Sequence, residues 1–91
     1  MKASRTAQAL ALDFADQVRA LMAERGLTHA DLADLLGGHR AIVSRVLRGE
    51  HMPSLDTMLQ YARALDCDLV LELSPLEILL VPRSAAPSEA A

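Results

Sequence analysis

Aromatic residues, cysteines and long apolar runs are scarce in this chain. Phe14 and Tyr61 are the only Phe, Tyr or Trp residues among 91, so a hydrophobic core must be built from Leu, Val, Ala and Met. The single cysteine, Cys67, excludes an intrachain disulfide and a cysteine metal cluster, and we interpret it as a small, partly buried hydrophobe. No run of about 18 uncharged apolar residues and no secretory segment after Met1 are present, so we expect a cytoplasmic protein without a membrane partner.

Apolar content and charge distribution narrow the class of protein further. Apolar residues make up 52% of the chain, which excludes wholesale disorder, and 91 residues support one domain with a small core that dimerisation would stabilise. The net charge is −3, but three arginines and two histidines between His39 and His51 are accompanied by one acid, Glu50. From Asp56 onward six acids outnumber two arginines. One part of the chain therefore attracts phosphate groups, and the other repels them.

Apolar residues recur at helical spacing in four stretches. We predict helices over residues 7–25, 28–36 and 39–48, and a fourth helix that Ser54 caps. Gly37 and Gly38 end the second helix, because glycine adopts the left-handed conformation without steric cost. The expected buried stripes are Leu10, Phe14, Val18, Leu21 and Met22 in the first helix, Leu32, Ala33, Leu35 and Leu36 in the second, Val43, Val46 and Leu47 in the third, and Leu55, Met58, Leu59, Ala62 and Leu65 in the fourth.

The third predicted helix carries most of the local positive charge on one side. Opposite its apolar stripe lie Arg40, Ala41, Ser44, Arg45 and Arg48. Such a face suits the major groove of DNA, which admits one helix and presents donors, acceptors and the thymine methyl at the base edges. Solvated arginines on an exposed face are the common alternative, and the arginines alone do not decide between the two.

Several short pieces between residues 27 and 65 follow one known pattern. They are Leu27-Thr28, Asp31-Leu32-Ala33, Leu36-Gly37, Val43-Ser44-Arg45, Arg48-Gly49, Pro53-Ser54-Leu55 and Ala62-Arg63-Ala64-Leu65. Across this window the chain resembles the XRE/Cro/CI family of helix-turn-helix repressors, without a gap. His29 stands where such proteins commonly carry glutamine, and Leu47 where they often carry glutamate. The resemblance implies a mainly α-helical, lambda-repressor-like fold of four or five helices.

For function, the resemblance implies a dimer that binds a palindromic operator in double-stranded DNA. Each subunit would place the helix from His39 to Arg48 in a major groove, with half-sites about 34 Å apart. Arg40 and Arg45 would read bases, with guanine as the target, and Ala41 would contact a thymine methyl. The contacts that hold phosphates and fix the register are expected from Thr28, His29, His39, Ser44 and Arg48.

Past Leu65 the apolar period becomes alternating, which predicts a β-strand. This strand can pair with residues 78–81 in a hairpin, or with the same strand of a second subunit. We favour the second as the main contact, because it gives the two-fold symmetry of a palindromic site. The residues predicted to form this dimer contact are Leu69, Val70, Leu71 and Leu73.

These predictions divide the chain into a flexible arm (1–6), a helix-turn-helix domain (7–66), an apolar dimerisation segment with the strand (67–82) and a flexible tail (83–91). A strand directly after a helix-turn-helix domain resembles the HipB- and HigA-type antitoxins of bacterial toxin–antitoxin pairs. That resemblance implies a protein that neutralises a toxin and represses the shared operon. A stand-alone XRE-family regulator, and an interaction module that has lost DNA binding, are the alternatives.

A catalytic site and a cofactor are not expected. His29, His39 and His51 have neither HxxxH spacing nor a cysteine partner, so they do not predict a metal site. Ser44 is not surrounded by a glycine elbow, and a domain of this size has little room for a substrate cavity. We therefore interpret the chain as a binding protein and not an enzyme.

Overall fold

A computed structural model of the protein describes residues 6–73 and 76–83. Four helices precede a two-stranded antiparallel sheet: α1 (Ala7–Arg25), α2 (His29–Leu35), α3 (Arg40–Leu47), α4 (Leu55–Ala64), β1 (Cys67–Leu73) and β2 (Leu76–Pro82). The four predicted helices and the mainly helical class are confirmed. Apart from Thr6 and Arg83, the predicted arm and tail lie outside the described residues.

Hydroxyl side chains begin three of the helices. The Oγ atoms of Thr6, Thr28 and Ser54 each accept a hydrogen bond from a backbone N–H in the first turn, at 3.0, 3.0 and 3.2 Å. At α2 the Thr28 N–H also donates to the Asp31 carboxylate at 2.9 Å, which completes a capping box. Hydrogen bonds from the backbone and side chain of Thr28 hold the pKa of Asp31 below its ordinary value. The start of α2 is therefore fixed by side chains that the sequence places three residues apart.

One core joins all four helices and the hairpin. The predicted stripes of α1 and α3 are buried as expected, and Cys67 is buried with them. The predicted stripes of α2 and α4 need correction, because Leu35 is 57% exposed, Leu55 49% and Leu59 41%. These three leucines lie at the edges of the buried sides of their helices, where no other helix or strand of the described residues packs closely over them. In α4 the buried side also includes Tyr61, which packs edge-on against the Phe14 ring with the centroids 5.7 Å apart.

β1 and β2 form a hairpin over their full length. Their register places Cys67 opposite Pro82, Leu71 opposite Ile78 and Leu73 opposite Leu76. Pairing of the other edge of β1 with a copy of itself stays a prediction, and the hairpin alternative is the one that the single chain adopts. The reason is burial: Ile78 and Leu80 of β2 are 4% and 7% exposed, so folding back removes apolar surface that the sequence left without a partner.

Gln17 of α1 connects the helical core to the outer edge of β2. Its Nε2 donates to the Ile78 carbonyl at 2.6 Å, and its Oε1 accepts from the Leu80 N–H at 2.7 Å. One side-chain amide therefore satisfies a backbone donor and a backbone acceptor, as a neighbouring strand would.

In residues 6–73 and 76–83, no helix is long and apolar enough to cross a membrane.

Candidate nucleic-acid interface

α2, a tight turn and α3 form the candidate interface. Gly37 and Gly38 make the turn with φ of 108° and 90°, a conformation that side chains with a Cβ disfavour. The Gly38 N–H donates to the Ala33 carbonyl at 2.6 Å and closes the end of α2. α3 then packs on α1 and α2 through Val43, Val46 and Leu47, each at most 2% exposed. The opposite side of α3 is left facing solvent.

The C-terminal end of α3 is held by backbone hydrogen bonds and by α1. The Gly49 N–H donates to the Val46 carbonyl at 2.9 Å, and the Glu50 N–H donates to the Arg45 carbonyl at 3.1 Å. This pair of bonds is a Schellman motif, which needs a left-handed residue at Gly49. Arg19 of α1 also donates to the carbonyl of Leu47. α3 is therefore fixed at the end that leads out of the site.

The outward side of α3 carries two arginines with free guanidinium groups. Arg40, Ala41 and Arg45 are exposed, and Ser44 is half-buried. In the parts of the chain that the structure describes, neither Arg40 nor Arg45 forms an ion pair or donates a side-chain hydrogen bond. These are the residues that the sequence predicts as base-reading. Their donors are thus available to a ligand without breaking an internal contact.

Comparison with known proteins agrees with this geometry. The family described as "Helix-turn-helix domain" matches residues 13–73, which include all of α2, α3, α4 and β1 and most of α1. The chain belongs to this family. Comparison with curated proteins gives no match.

Two solved structures resemble the helix-turn-helix domain in fold. An HTH_3 family transcriptional regulator from Vibrio cholerae has a TM-score of 0.65 and 28% identity, with 69% of this chain and 35% of that chain covered. The restriction-modification controller protein C.AhdI from Aeromonas hydrophila has a TM-score of 0.64 and 34% identity, with 70% and 93% covered. The match thus spans about a third of the first protein and nearly all of the second. The family match and the two structures confirm that the fold is lambda-repressor-like and that the chain is an XRE-like helix-turn-helix protein. This family and this fold are those of DNA-binding transcriptional regulators.

Arg48, the C-cap of α3, differs from Arg40 and Arg45 because its charge is already paired. Its Nε and one terminal nitrogen donate to the two carboxylate oxygens of Glu50 at 2.8 and 3.2 Å, and its other terminal nitrogen donates to Ser44 Oγ at 2.8 Å. The hydrogen bonds from Arg48 hold the pKa of Glu50 below its ordinary value, and the same pair raises the pKa of Arg48. Ser44 and Arg48 are both predicted to hold phosphates, and in the free protein they are therefore hydrogen-bonded to one another.

We expect Glu50→Gln to raise the affinity for duplex DNA of any sequence by about 3–10-fold, because it releases Arg48 for a phosphate. The slope of log K against log salt should steepen by about 0.9, the value for one additional phosphate contact. Fluorescence anisotropy with two unrelated duplexes at several salt concentrations measures both effects. Glu77→Gln in β2 is the control, since it makes the same change in net charge on the hairpin. Equal gains in the two variants would contradict a specific role for the Arg48–Glu50 pair.

The remaining predicted phosphate contacts lie at the starts of α2 and α3. Thr28 is the N-cap of α2, His29 is its first residue and His39 is the N-cap of α3; all three are exposed. The Thr28 hydroxyl oxygen is used in the capping box, while the His39 side chain makes no cap hydrogen bond. Their roles toward DNA stay predictions.

Ile42 is a candidate contact that the sequence predictions did not include. It is 51% exposed on the flank of α3, next to Ala41 and away from Ser44. An exposed large apolar side chain beside the predicted base-reading face can contact a thymine methyl. Its position in the helical phase, between the buried stripe and the arginine side of α3, was the sequence signal that could have identified it.

Among the described ranges, no group of three His, Cys, Asp or Glu residues could hold a metal ion.

Proposed function

We propose that this protein is a sequence-specific DNA-binding transcriptional repressor that acts as a homodimer on a palindromic operator. The observation that supports this most directly is the pair of unengaged arginines on the exposed side of α3, beside a third arginine that Glu50 neutralises. The family match adds support, because in a helix-turn-helix domain the exposed side of this helix around Ala41 holds the positions that can meet base edges.

In this proposal, α3 lies in the major groove with Arg40 and Arg45 toward the bases. Each guanidinium can donate two hydrogen bonds to guanine O6 and N7, and Ala41 and Ile42 can contact thymine methyl groups. Thr28, His29, His39, Ser44 and Arg48 would contact phosphates and set the register. Arg48 would exchange Glu50 for a phosphate oxygen, so its contribution would be smaller than that of a free arginine.

Arg45→Ala tests the base-reading role. We expect it to cost about 1–3 kcal/mol on the preferred operator and to relax the choice at one base pair, whereas Arg48→Ala should weaken all sequences alike. A gel shift with the DNA just upstream of the gene, competed by operators mutated one base pair at a time, measures both. Arg83→Ala is the matched control, because Arg83 lies at the end of the hairpin and pairs with Asp68. Equal loss on every competitor for Arg45→Ala would contradict base reading, and no salt-sensitive binding at all would favour a pure interaction module.

The finer role that we propose is that of an antitoxin, which would neutralise a toxin and repress their shared operon. Its support is the strand β1, which follows the helix-turn-helix domain directly, as it does in HipB- and HigA-type antitoxins. A stand-alone regulator in the cytoplasm, without a toxin, is the second candidate, and the two structural neighbours favour it because both are regulators by description. Expression of the adjacent reading frame, alone and with this protein, separates them. Growth arrest that this protein relieves supports the antitoxin, and unchanged growth supports the stand-alone regulator.

A further inference from the structure

The two edges of the hairpin can be told apart from its hydrogen bonds. The Arg83 N–H donates to the Asp66 carbonyl at 3.0 Å, and these two residues continue the register one step beyond Cys67 and Pro82. Pairs in an antiparallel ladder alternate between hydrogen-bonded and non-hydrogen-bonded, and Pro82, which has no N–H, falls on a non-bonded pair. The backbone groups of the odd-numbered residues of β1 therefore point away from β2.

Only one of the two edges is covered in the part of the chain that the structure describes. On β2 the outward carbonyl of Ile78 and the outward N–H of Leu80 are bonded by Gln17, and α1 packs against this strand. On β1 the outward groups belong to Leu69, Leu71 and Leu73, and no hydrogen bond from the described residues reaches them. Natural sheets protect open edges with charges, proline or a covering element, because open edges pair with other chains. The β1 edge has no such protection at these three leucines.

The side chains along the same edge are apolar and increasingly exposed toward the tip of the hairpin. Leu71 is 46% exposed and Leu73 82%, although they share a face with the buried Cys67 and Ile78. This face therefore extends past the helical core that covers its other end. An exposed apolar strip beside unpaired backbone groups indicates a surface that another strand covers.

We propose that β1 pairs with β1 of a second copy of this chain, antiparallel, about a two-fold axis at Leu71. This would form a four-stranded sheet in the order β2, β1, β1, β2. An antiparallel pair about an axis perpendicular to the sheet places the leucine faces of both copies on the same side, where leucines of the two neighbouring strands contact one another. The proposal deepens the homodimer of the proposed repressor and rests on that proposal for its relevance to DNA.

Charge selects the register of this pair. The outward backbone groups allow three registers within residues 69–73, in which Leu71 lies opposite Leu69, Leu71 or Leu73 of the partner subunit. The first places Glu72 opposite Asp68 of the partner subunit and the third places Glu72 opposite Glu72 of the partner subunit, and like charges directly opposite destabilise a sheet. In the register with Leu71 opposite Leu71 of the partner subunit, Glu72 lies opposite Val70 of the partner subunit instead. A second copy thus satisfies the edge with leucine against leucine and no directly opposed acids.

Leu71→Lys tests this interface without DNA. It places two like charges at the two-fold axis, and we expect the dimer dissociation constant to rise by about 100-fold while the circular dichroism spectrum stays that of the folded protein. Analytical ultracentrifugation over a dilution series measures the constant. Val81→Lys is the control, because Val81 is 39% exposed on the opposite face of the hairpin. A wild-type chain that stays monomeric at every soluble concentration, or an unchanged constant in Leu71→Lys, would overturn the proposal.

Leu71→Cys adds a test of the register that does not depend on losing a contact. Opposed residues of an antiparallel hydrogen-bonded pair have Cα atoms about 5.5 Å apart, within the range of a disulfide. We expect oxidation to yield a covalent dimer with Leu71→Cys and not with Val81→Cys or the wild type, whose Cys67 is buried. Efficient cross-linking of Val81→Cys would overturn the arrangement. Arg45→Ala should lose affinity for DNA but dimerise normally. The ultracentrifugation and cross-linking experiments therefore test the dimer interface separately from the gel shift, which tests DNA binding.

Discussion

Gly49→Ala is expected to lower the free energy of unfolding by about 2–5 kcal/mol, from a backbone cost and a steric cost. Gly49 has φ of 72° in the Schellman motif that ends α3, and a residue with a Cβ in this conformation costs about 1–2 kcal/mol. The Cβ would also overlap Leu12 Cδ2, which must turn aside, and would lie 3.2 Å from Leu12 Cα, so that α1 must give by a few tenths of an ångström. Urea denaturation followed by circular dichroism measures the change.

Gly26→Ala is the matched control for this prediction. Gly26 ends α1 with nearly the same φ, 68°, but no atom lies within 4 Å of a Cβ built there. It should therefore show the backbone cost alone, and the difference between the two variants measures how tightly α1 packs against the end of α3. Equal losses would mean that Leu12 moves aside freely, and would contradict the steric part of the prediction.

Phe14→Ala is expected to cost about 3–5 kcal/mol, the range for a large aromatic side chain removed from a core. Phe14 is fully buried, and its ring meets the edge of the Tyr61 ring in the only aromatic pair that the composition permits. The neighbouring leucines and valines cannot close the gap without moving whole helices. Thermal unfolding should show the loss, and a change below about 1 kcal/mol would indicate that the core collapses onto the site.

Tyr61→Phe is the companion variant, because it keeps the ring and removes a hydroxyl that finds no hydrogen-bond partner among the described residues. We expect unchanged or slightly higher stability near pH 7. Burial raises the pKa of Tyr61 to about 12, whereas the unfolded side chain titrates near 10. As the pH rises, the unfolded state therefore loses the tyrosine proton first. The free energy of unfolding falls for this reason between pH 10 and pH 12. Tyr61→Phe should lose less stability than the wild type over that interval, and identical alkaline curves would contradict the assignment.

Residues close together in the sequence predict the helical part of the fold well. Thr28 and Ser54 begin helices and Gly37 ends one, because capping depends on residues a few positions apart in the chain. Leu35 and Leu59 were misplaced for a tertiary reason, since helical spacing gives the middle of a buried stripe but not its width. The width depends on how closely a neighbouring element packs alongside: Leu35 lines a groove with Gln60 and Arg63 of α4 and stays 57% exposed.

The candidate site was predictable to a similar degree. The helical phase places Arg40 and Arg45 on the open side of α3, and the structure leaves both unpaired in the described ranges. The engagement of Arg48 by Glu50 could not be predicted, because the contact crosses the reversal of the chain at Gly49. In the hairpin, the alternating period predicts which residues share a face but not which strand lies beside them, so the partner of β1 was decided only by the fold.

The amide of Gln17 has a consequence for how far assembly can proceed. A hairpin open on both edges could add copies on either side and grow without limit, as fibres do. Here α1 occupies one edge with a side chain that cannot be extended by another strand, so strand addition is available from one direction only. If two copies meet through β1 as we propose, the edges that remain are the two that Gln17 occupies, and strand addition stops at two.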